Sequence, residues 1–135
     1  MNVLVDTSVW SLALRRARRH DGGIARELTD LIDEGRVVML GPVRQELLSG
    51  IKEQAQFDRL RDRLRAFPDV ALEVADHELA AELFNRCRAR GVQGSNTDLL
   101  ICAVAARRQL AVFTTDGDFQ HFAAVIPLVL HAVRG

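Results

Sequence analysis

Four acidic residues stand where apolar segments begin or end. Asp6 follows Val3, Leu4 and Val5; Glu46 comes after the Pro42-Val43 turn; Asp98 precedes Leu99, Leu100 and Ile101; Asp116 follows Val112 and Phe113. Two carboxylates about 5 Å apart repel by roughly 3 kcal/mol at an effective dielectric near 20. Four of them therefore converge only if a cation holds them or some carry a proton. No His or Cys accompanies the set, and oxygen-only ligands favour Mg²⁺ or Mn²⁺ over zinc. Two such ions would activate a water and stabilise the leaving oxygen of an in-line phosphodiester displacement.

Taken singly, each acid has an ordinary explanation. Asp6 and Thr7 are suited to capping a following helix. Asp98 falls in the first turn of its helix, where negative charge suits the macrodipole. Glu46 reads equally as a solvated helical residue, and Asp116-Gly117 is a common turn pair. Topology shifts that balance. In an open parallel sheet, ligands bind outside the carboxyl ends of the strands. Asp6 and Asp116 end strands, Glu46 lies one turn into a helix leaving a strand, and Asp98 begins a helix that descends to the start of the next. One shared site accounts for all four placements.

The elements that must position these acids are legible in the apolar pattern. Residues 2–5 form a short buried strand, and a helix runs from Ser8 to Arg19. Asp21-Gly22-Gly23 breaks it, and a second helix extends to Asp33. Val37 to Leu40 form a second strand, and Pro42 opens a helix reaching Ser49-Gly50. Residues 53–66 are helical, residues 70–74 make a third strand, and Asp76 caps a helix over 77–90. Gly91 to Gly94 form a loop, followed by a helix from Ser95 or Asn96 to Arg107 that is apolar on nearly every face and so buried. Ala111 to Thr114 form the fourth strand, 118–124 a short helix, and Leu128 to Leu130 a fifth strand. Short apolar strands alternating with helices indicate an α/β fold with a mainly parallel sheet.

Residues 1–135 read as one domain, with no repeat, low-complexity stretch or linker. Eighteen basic and eighteen acidic side chains cancel, so a polyanion site must be local. Lys52 is the one lysine; the other basic residues are arginines, suited to bidentate phosphate contacts. Cys87 and Cys102 lack metal-ligand spacing and read as small buried apolar residues. The start of the chain has no signal-peptide pattern, and no apolar run approaches the ~20 residues of a membrane span. A cytoplasmic location is the expectation.

At this point the residues resemble the PIN-domain ribonucleases, and among them the VapC-type toxins of bacterial toxin–antitoxin pairs. The resemblance spans essentially the whole chain. It rests on Val5-Asp6-Thr7-Ser8-Val9-Trp10, on Val43 to Gly50 around Glu46, on Thr97-Asp98-Leu99-Leu100-Ile101-Cys102-Ala103, and on Thr114-Thr115-Asp116-Gly117-Asp118-Phe119. It implies a five-stranded parallel sheet of order 3-2-1-4-5, Mg²⁺-dependent cleavage of RNA, a homodimer, and neutralisation by a small cognate antitoxin. Asp6, Glu46, Asp98 and Asp116 match the four metal-site acids. Asp118 matches a further acid that some members use, although a loop position beside a Gly turn explains it as well. Thr7, Ser8 and Thr115 match hydroxyl positions that would steady a ligand carboxylate or a water; capping explains them equally.

The arginines follow no pattern that aligns with the family. Arg15 to Arg19, Arg86 to Arg90 and Arg107-Arg108 fall at helix C-termini, where positive charge is favourable anyway. Topology places Arg86, Arg88 and Arg90 near the acids, with Arg44 beside Glu46, and sends Arg107 and Arg108 to the opposite edge. Arg44, Arg86 and Arg90 are therefore the expected RNA contacts. His20, His77, His121 and His131 read as surface or capping residues, and Trp10 as core or dimer interface. Two alternatives remain beside the ribonuclease. One is a non-catalytic PIN-like module that binds RNA or a partner. The other is an aspartate phosphotransferase or phospho-acceptor domain, which needs a lysine near the acids; Lys52 lies beyond the Gly50 break.

Overall fold

The computed structural model describes residues 1–14 and 22–135. Three short parallel strands form the centre, in the order β2-β1-β3. They are β1 (Val3–Val5), β2 (Val37–Val38) and β3 (Ala111–Phe113). Val3 lies opposite Val37 and Ala111, Leu4 opposite Val38 and Val112, and Val5 opposite Phe113. β1 is buried throughout, as a central strand covered on both faces must be.

Two further segments extend this sheet by single bridges, Met39 with Asp69 and Val112 with Leu130, both parallel. Ordered across the sheet, the five segments run 3-2-1-4-5 in chain numbering, as expected. The outer two are nevertheless not strands. The expected strand 70–74 pairs only where the Val70 N–H donates to the Met39 carbonyl, at 3.0 Å. Val74 is 76% exposed and opens the next helix. The segment has one neighbour, itself two residues long, so the ladder has no room to propagate. Likewise Leu128 to Leu130 contribute one bridge, flanked by hydrogen bonds from Val112 N to Val129 O and from His131 N to Val112 O, each 2.8 Å.

The helices are α1 (Thr7–Leu14), α2 (Ile24–Asp33), α3 (Gly41–Leu48), α4 (Gln54–Leu64), α5 (Val74–Ala89), α6 (Asn96–Arg108) and α7 (Asp118–Ala123). The remainder of the expected first helix, Arg15 to Arg19, lies outside the described residues, as do His20 and Asp21. In α6 seven consecutive residues, Leu99 to Ala105, are buried. This is the apolar-all-round helix of the sequence, running beneath the acids as part of the core.

The start of α5 differs from expectation. Glu73 is its N-cap, and Asp76 sits three residues in. The Asp76 carboxylate accepts the Glu73 main-chain N–H at 2.8 Å and is fully buried. Arg107 and Arg108 reach it from the end of α6, at 2.7 and 2.6 Å. Burial of an acid is tolerable here because two guanidiniums and a main-chain donor meet it. These contacts join the start of α5 to the end of α6, at the edge away from Asp98.

A second acid is buried far from the four candidate-site residues. Glu27 of α2 is 3% exposed. Its Oε2 lies 2.5 Å from His131 Nε2 and accepts Arg134 Nε at 2.9 Å. Arg134 also grips Glu34 through two nitrogens, at 3.0 and 2.9 Å. His131 is thus no surface residue; it ties the C-terminal segment to α2. Its ring also packs edge-on against Phe113. A 104-residue separation leaves no local signature for such a pair. Trp10 is core, edge-on to Phe67 with ring centroids 5.2 Å apart. Both cysteines are free and buried, and burial raises both thiols above their ordinary range.

Candidate active site

Asp6 is the first residue beyond β1, and its N–H continues the ladder to the Phe113 carbonyl at 2.9 Å. The strand register therefore sets its position. Its main-chain carbonyl accepts from Val9 and Trp10, starting α1, while its side chain does something else. Oδ2 accepts the hydroxyls of Ser8 and Thr114, each at 2.8 Å. Ser8 Oγ in turn accepts the Thr115 N–H at 3.0 Å, and Thr114 Oγ1 accepts the Asp116 N–H at 3.0 Å. The chain after β1 is thereby laced to the chain after β3. Only 6% of Asp6 is exposed.

Thr114 is the hydroxyl that the sequence reading missed. Thr115 was expected to steady a ligand acid, but its contact to this network is through the main-chain N–H. The Thr114-Thr115 pair offered no way to choose between them. Strand geometry chooses, since successive side chains leave β3 on opposite sides.

Asp98 is held at the start of α6 by reciprocal bonds with Ser95. The Asp98 N–H donates to Ser95 Oγ at 3.1 Å, and the Ser95 N–H donates to Asp98 Oδ2 at 3.3 Å. This is a capping box, so the bland explanation of Asp98 is true as far as it goes. It is not the whole account. Burial pushes the Asp98 carboxyl above the usual range despite the Ser95 bonds, and the charges of Asp6 and Asp116 push it the same way. Asp6 and Asp116, 92 and 18 positions away in the chain, thus act on Asp98.

Asp116 Oδ1 accepts the Asp118 N–H at 2.9 Å, which fixes the turn into α7. Glu46 stands at the margin, exposed on α3, with Oε2 accepting the Thr7 hydroxyl at 2.8 Å. Thr7 is thus the link between Glu46 and the Asp6 turn. Asp118 is exposed at the first position of α7. Among the described residues, no three acids, histidines or cysteines close into a group of metal-binding dimensions. The donor chemistry suits a hard divalent ion; the carboxylates share a field without being drawn into a closed cluster.

The arginines divide by what already occupies them. Arg44 was expected to face RNA, but its guanidinium bonds Asp69 at 2.9 Å, the Leu64 carbonyl at 3.0 Å and the Phe67 carbonyl. It pins the chain after α4 to α3, so its guanidinium is already engaged within the fold. Arg86, Arg88 and Arg90 are exposed around the end of α5. Lys52 is exposed beyond the Gly50 turn.

With this geometry in place, comparison with known proteins is decisive at one level. The family model described as PIN domain matches residues 3–125. The chain belongs to the PIN-domain family. No curated protein matches the sequence. Among solved structures, this PIN domain is similar to FitAcB from Neisseria gonorrhoeae, with a TM-score of 0.77 at 21% identity over 96% of both chains. It is similar to VapBC2 from Rickettsia felis bound to a DNA fragment from their promoter, with a TM-score of 0.77 at 20% identity over 97% of this chain and 98% of that one. It also resembles VapBC-1 from nontypeable Haemophilus influenzae, with a TM-score of 0.75 at 15% identity over 97% of each. At these identities the likeness is one of fold. PIN domains are generally nucleases, which is the coarse reading of this chain. No helix among the described residues is long and apolar enough to cross a membrane.

Proposed function

We propose that this PIN domain is a Mg²⁺- or Mn²⁺-dependent endoribonuclease of the VapC type, the toxin of a toxin–antitoxin pair. The observation that carries the reading is the Asp98 carboxyl, raised by burial and by the charges of Asp6 and Asp116. Such a cluster costs free energy in isolation, and a divalent cation removes that cost. Asp6, Asp98 and Asp116, with Glu46 at the margin, would hold the metal. Bound there, it would supply an activated water and charge stabilisation for hydrolysis of a phosphodiester.

The chain's own residues do the rest. Ser8 and Thr114 fix the orientation of the Asp6 carboxylate, each donating its hydroxyl to Oδ2. Ser95 fixes Asp98 in one orientation. Thr7 orients Glu46, which stands exposed to solvent. Arg86 and Arg90, at the end of α5 that leads to Asp98, would meet the RNA backbone. The resemblance to VapC-type toxins supports both a small cognate antitoxin and a homodimer here.

Purified protein should cleave single-stranded RNA with Mg²⁺ or Mn²⁺, lose that activity in excess EDTA, and lose most of it in Asp98→Asn. Full activity in EDTA would refute the assignment. The absence of a closed three-ligand cluster among the described residues favours one second reading, a non-catalytic module that binds RNA or a partner. Calorimetric titration with Mn²⁺ separates the two, since that module would take up no metal at the acids.

A further inference from the structure

Beside the acids lies a polar cleft that the cleavage chemistry above does not use. Residues 91–94 join α5 to α6, and they are tightly fixed. Val92 N donates to Cys87 O at 2.9 Å, and Gly91 adopts a φ of 75°. A Cβ on Gly94 would lie 2.5 Å from Phe122 Cζ and 2.6 Å from Leu99 Cδ2, so only glycine lets the loop approach α7 this closely. Phe122 is fully buried and packs edge-on to Phe119. The loop and α7 thus form two firm walls. Between them is a cleft of about 450 Å³, lined by Gly91, Val92, Gln93, Asp118 and His121. It adjoins the acids through Asp118, whose N–H is bonded to Asp116 Oδ1 at 2.9 Å.

The lining chemistry selects its occupant. The Asp118 carboxylate repels a phosphate, so a nucleic-acid backbone must pass outside the cleft. A carboxylate instead accepts hydrogen bonds from an exocyclic amino group on a base. The Gln93 amide both donates and accepts, as reading a base edge requires. The His121 ring offers a flat face, and unstacked bases in single-stranded RNA are held by such faces and by hydrogen bonds to their edges. The volume is within the range of small-ligand sites, about 300–1,000 Å³.

We propose that this cleft is a base-reading subsite for single-stranded RNA. In it Asp118 and Gln93 contact the edge of one unstacked, amino-bearing base next to the scissile phosphate, while His121 packs on its face. This assigns Asp118 to substrate choice. It rests on the ribonuclease reading for its biological meaning, but it is tested without turnover.

The test uses the full chain carrying Asp98→Asn, titrated by fluorescence anisotropy with a cytidine hexamer and a uridine hexamer at one salt concentration. Uracil has no exocyclic amino group, so cytidine should bind about fivefold tighter or more, the scale of one good base-edge contact. Asp118→Ala and Gln93→Ala should bring that ratio below about twofold, with melting temperatures unchanged. His121→Ala should weaken both hexamers, and His121→Phe, which keeps a ring, should restore them. Equal affinity for the two hexamers, no binding of either, or a ratio that survives both alanine substitutions would overturn the proposal. Failure of the nuclease reading looks different: the wild-type chain would leave RNA intact with Mg²⁺ and Mn²⁺, whatever the hexamer ratio on the inactive background.

Discussion

Asp6 and Asp98 occupy opposite electrostatic circumstances within one site. Asp6 is nearly buried, yet two hydroxyls donate to the same oxygen, so its charge is locally satisfied. Asp98 is more open, but its neighbours push against it. Raising the pKa of a carboxyl in the folded state means that its ionised form weakens the fold at neutral pH. Asp98→Asn removes the charge and keeps an oxygen for the Ser95 N–H. In EDTA at pH 7 that variant should therefore be more stable than wild type, by on the order of 0.5 kcal/mol once solvent screening is counted. With millimolar Mg²⁺ the order should reverse, because metal bound to the folded wild type adds stability by mass action. Thermal melting of both proteins in both buffers checks it. An unchanged melting temperature for wild type on adding metal would sink the idea of a shared cation site.

At the scale of elements, antiparallel α5 and α6 decide which arginines are free. The end of α6 meets the start of α5, and there Arg107 and Arg108 are committed to Asp76 and Glu73. The end of α5 meets the loop that leads to Asp98, and there Arg86 and Arg90 are exposed. Arg86→Ala and Arg90→Ala should each weaken RNA binding and lower the slope of log affinity against log salt by about 0.7 for single strands. Their stability should change by less than about 0.5 kcal/mol. Arg108→Ala should leave binding unaltered but destabilise the fold by roughly 2–3 kcal/mol; removing one partner of a buried pair costs more than this when no second cation remains, and Arg107 does remain. Salt-dependent titration paired with urea unfolding reads both. The reverse ranking would mean that RNA runs along the opposite edge.

For the whole molecule, two buried carboxylates paired with basic side chains, Asp76 and Glu27, set the response to acid. Arg108 bonds hold the Asp76 carboxyl well below its usual range despite burial, helped by the Glu73 N–H and Arg107. At Glu27 burial pushes upward, and bonds from His131 and Arg134 outweigh it. Both pKa values are depressed in the folded state. Each acid therefore contributes stability that is fully present above its unfolded value, about 4, and is lost as pH falls toward the folded value. Stability should hold from pH 7 to about 5 and then fall steeply below about 4. Asp76→Asn should flatten that fall while lowering stability at pH 7. Urea midpoints measured from pH 3 to 7 test this, and a profile that is flat across the range would remove both clusters from the account.

Local chemistry determined much of this protein. The apolar runs at 3–5 and 111–113 could only be buried strands, Leu99 to Ala105 could only be a core helix, and Pro42 and the glycines at 50 and 91 bounded their helices as backbone sterics require. The four acids were visible because each interrupts or adjoins such a run. Where the sequence fell short, the deciding contact was distant in the chain. Nothing near Asp69 or Leu130 says that a ladder will stop after one bridge; that depends on the shortness of the neighbour across the sheet. Thr114 outranks Thr115 only because β3 turns it toward Asp6, 108 positions away. Arg44 and Arg86 look alike as residues, yet one is consumed by carbonyls at the end of α4 and the other faces solvent. Hydrophobic burial depends on a residue's type and its period along the chain, and both are written locally. The partner of a hydroxyl or a guanidinium depends on where the folded chain brings the other atom, and only tertiary structure decides that.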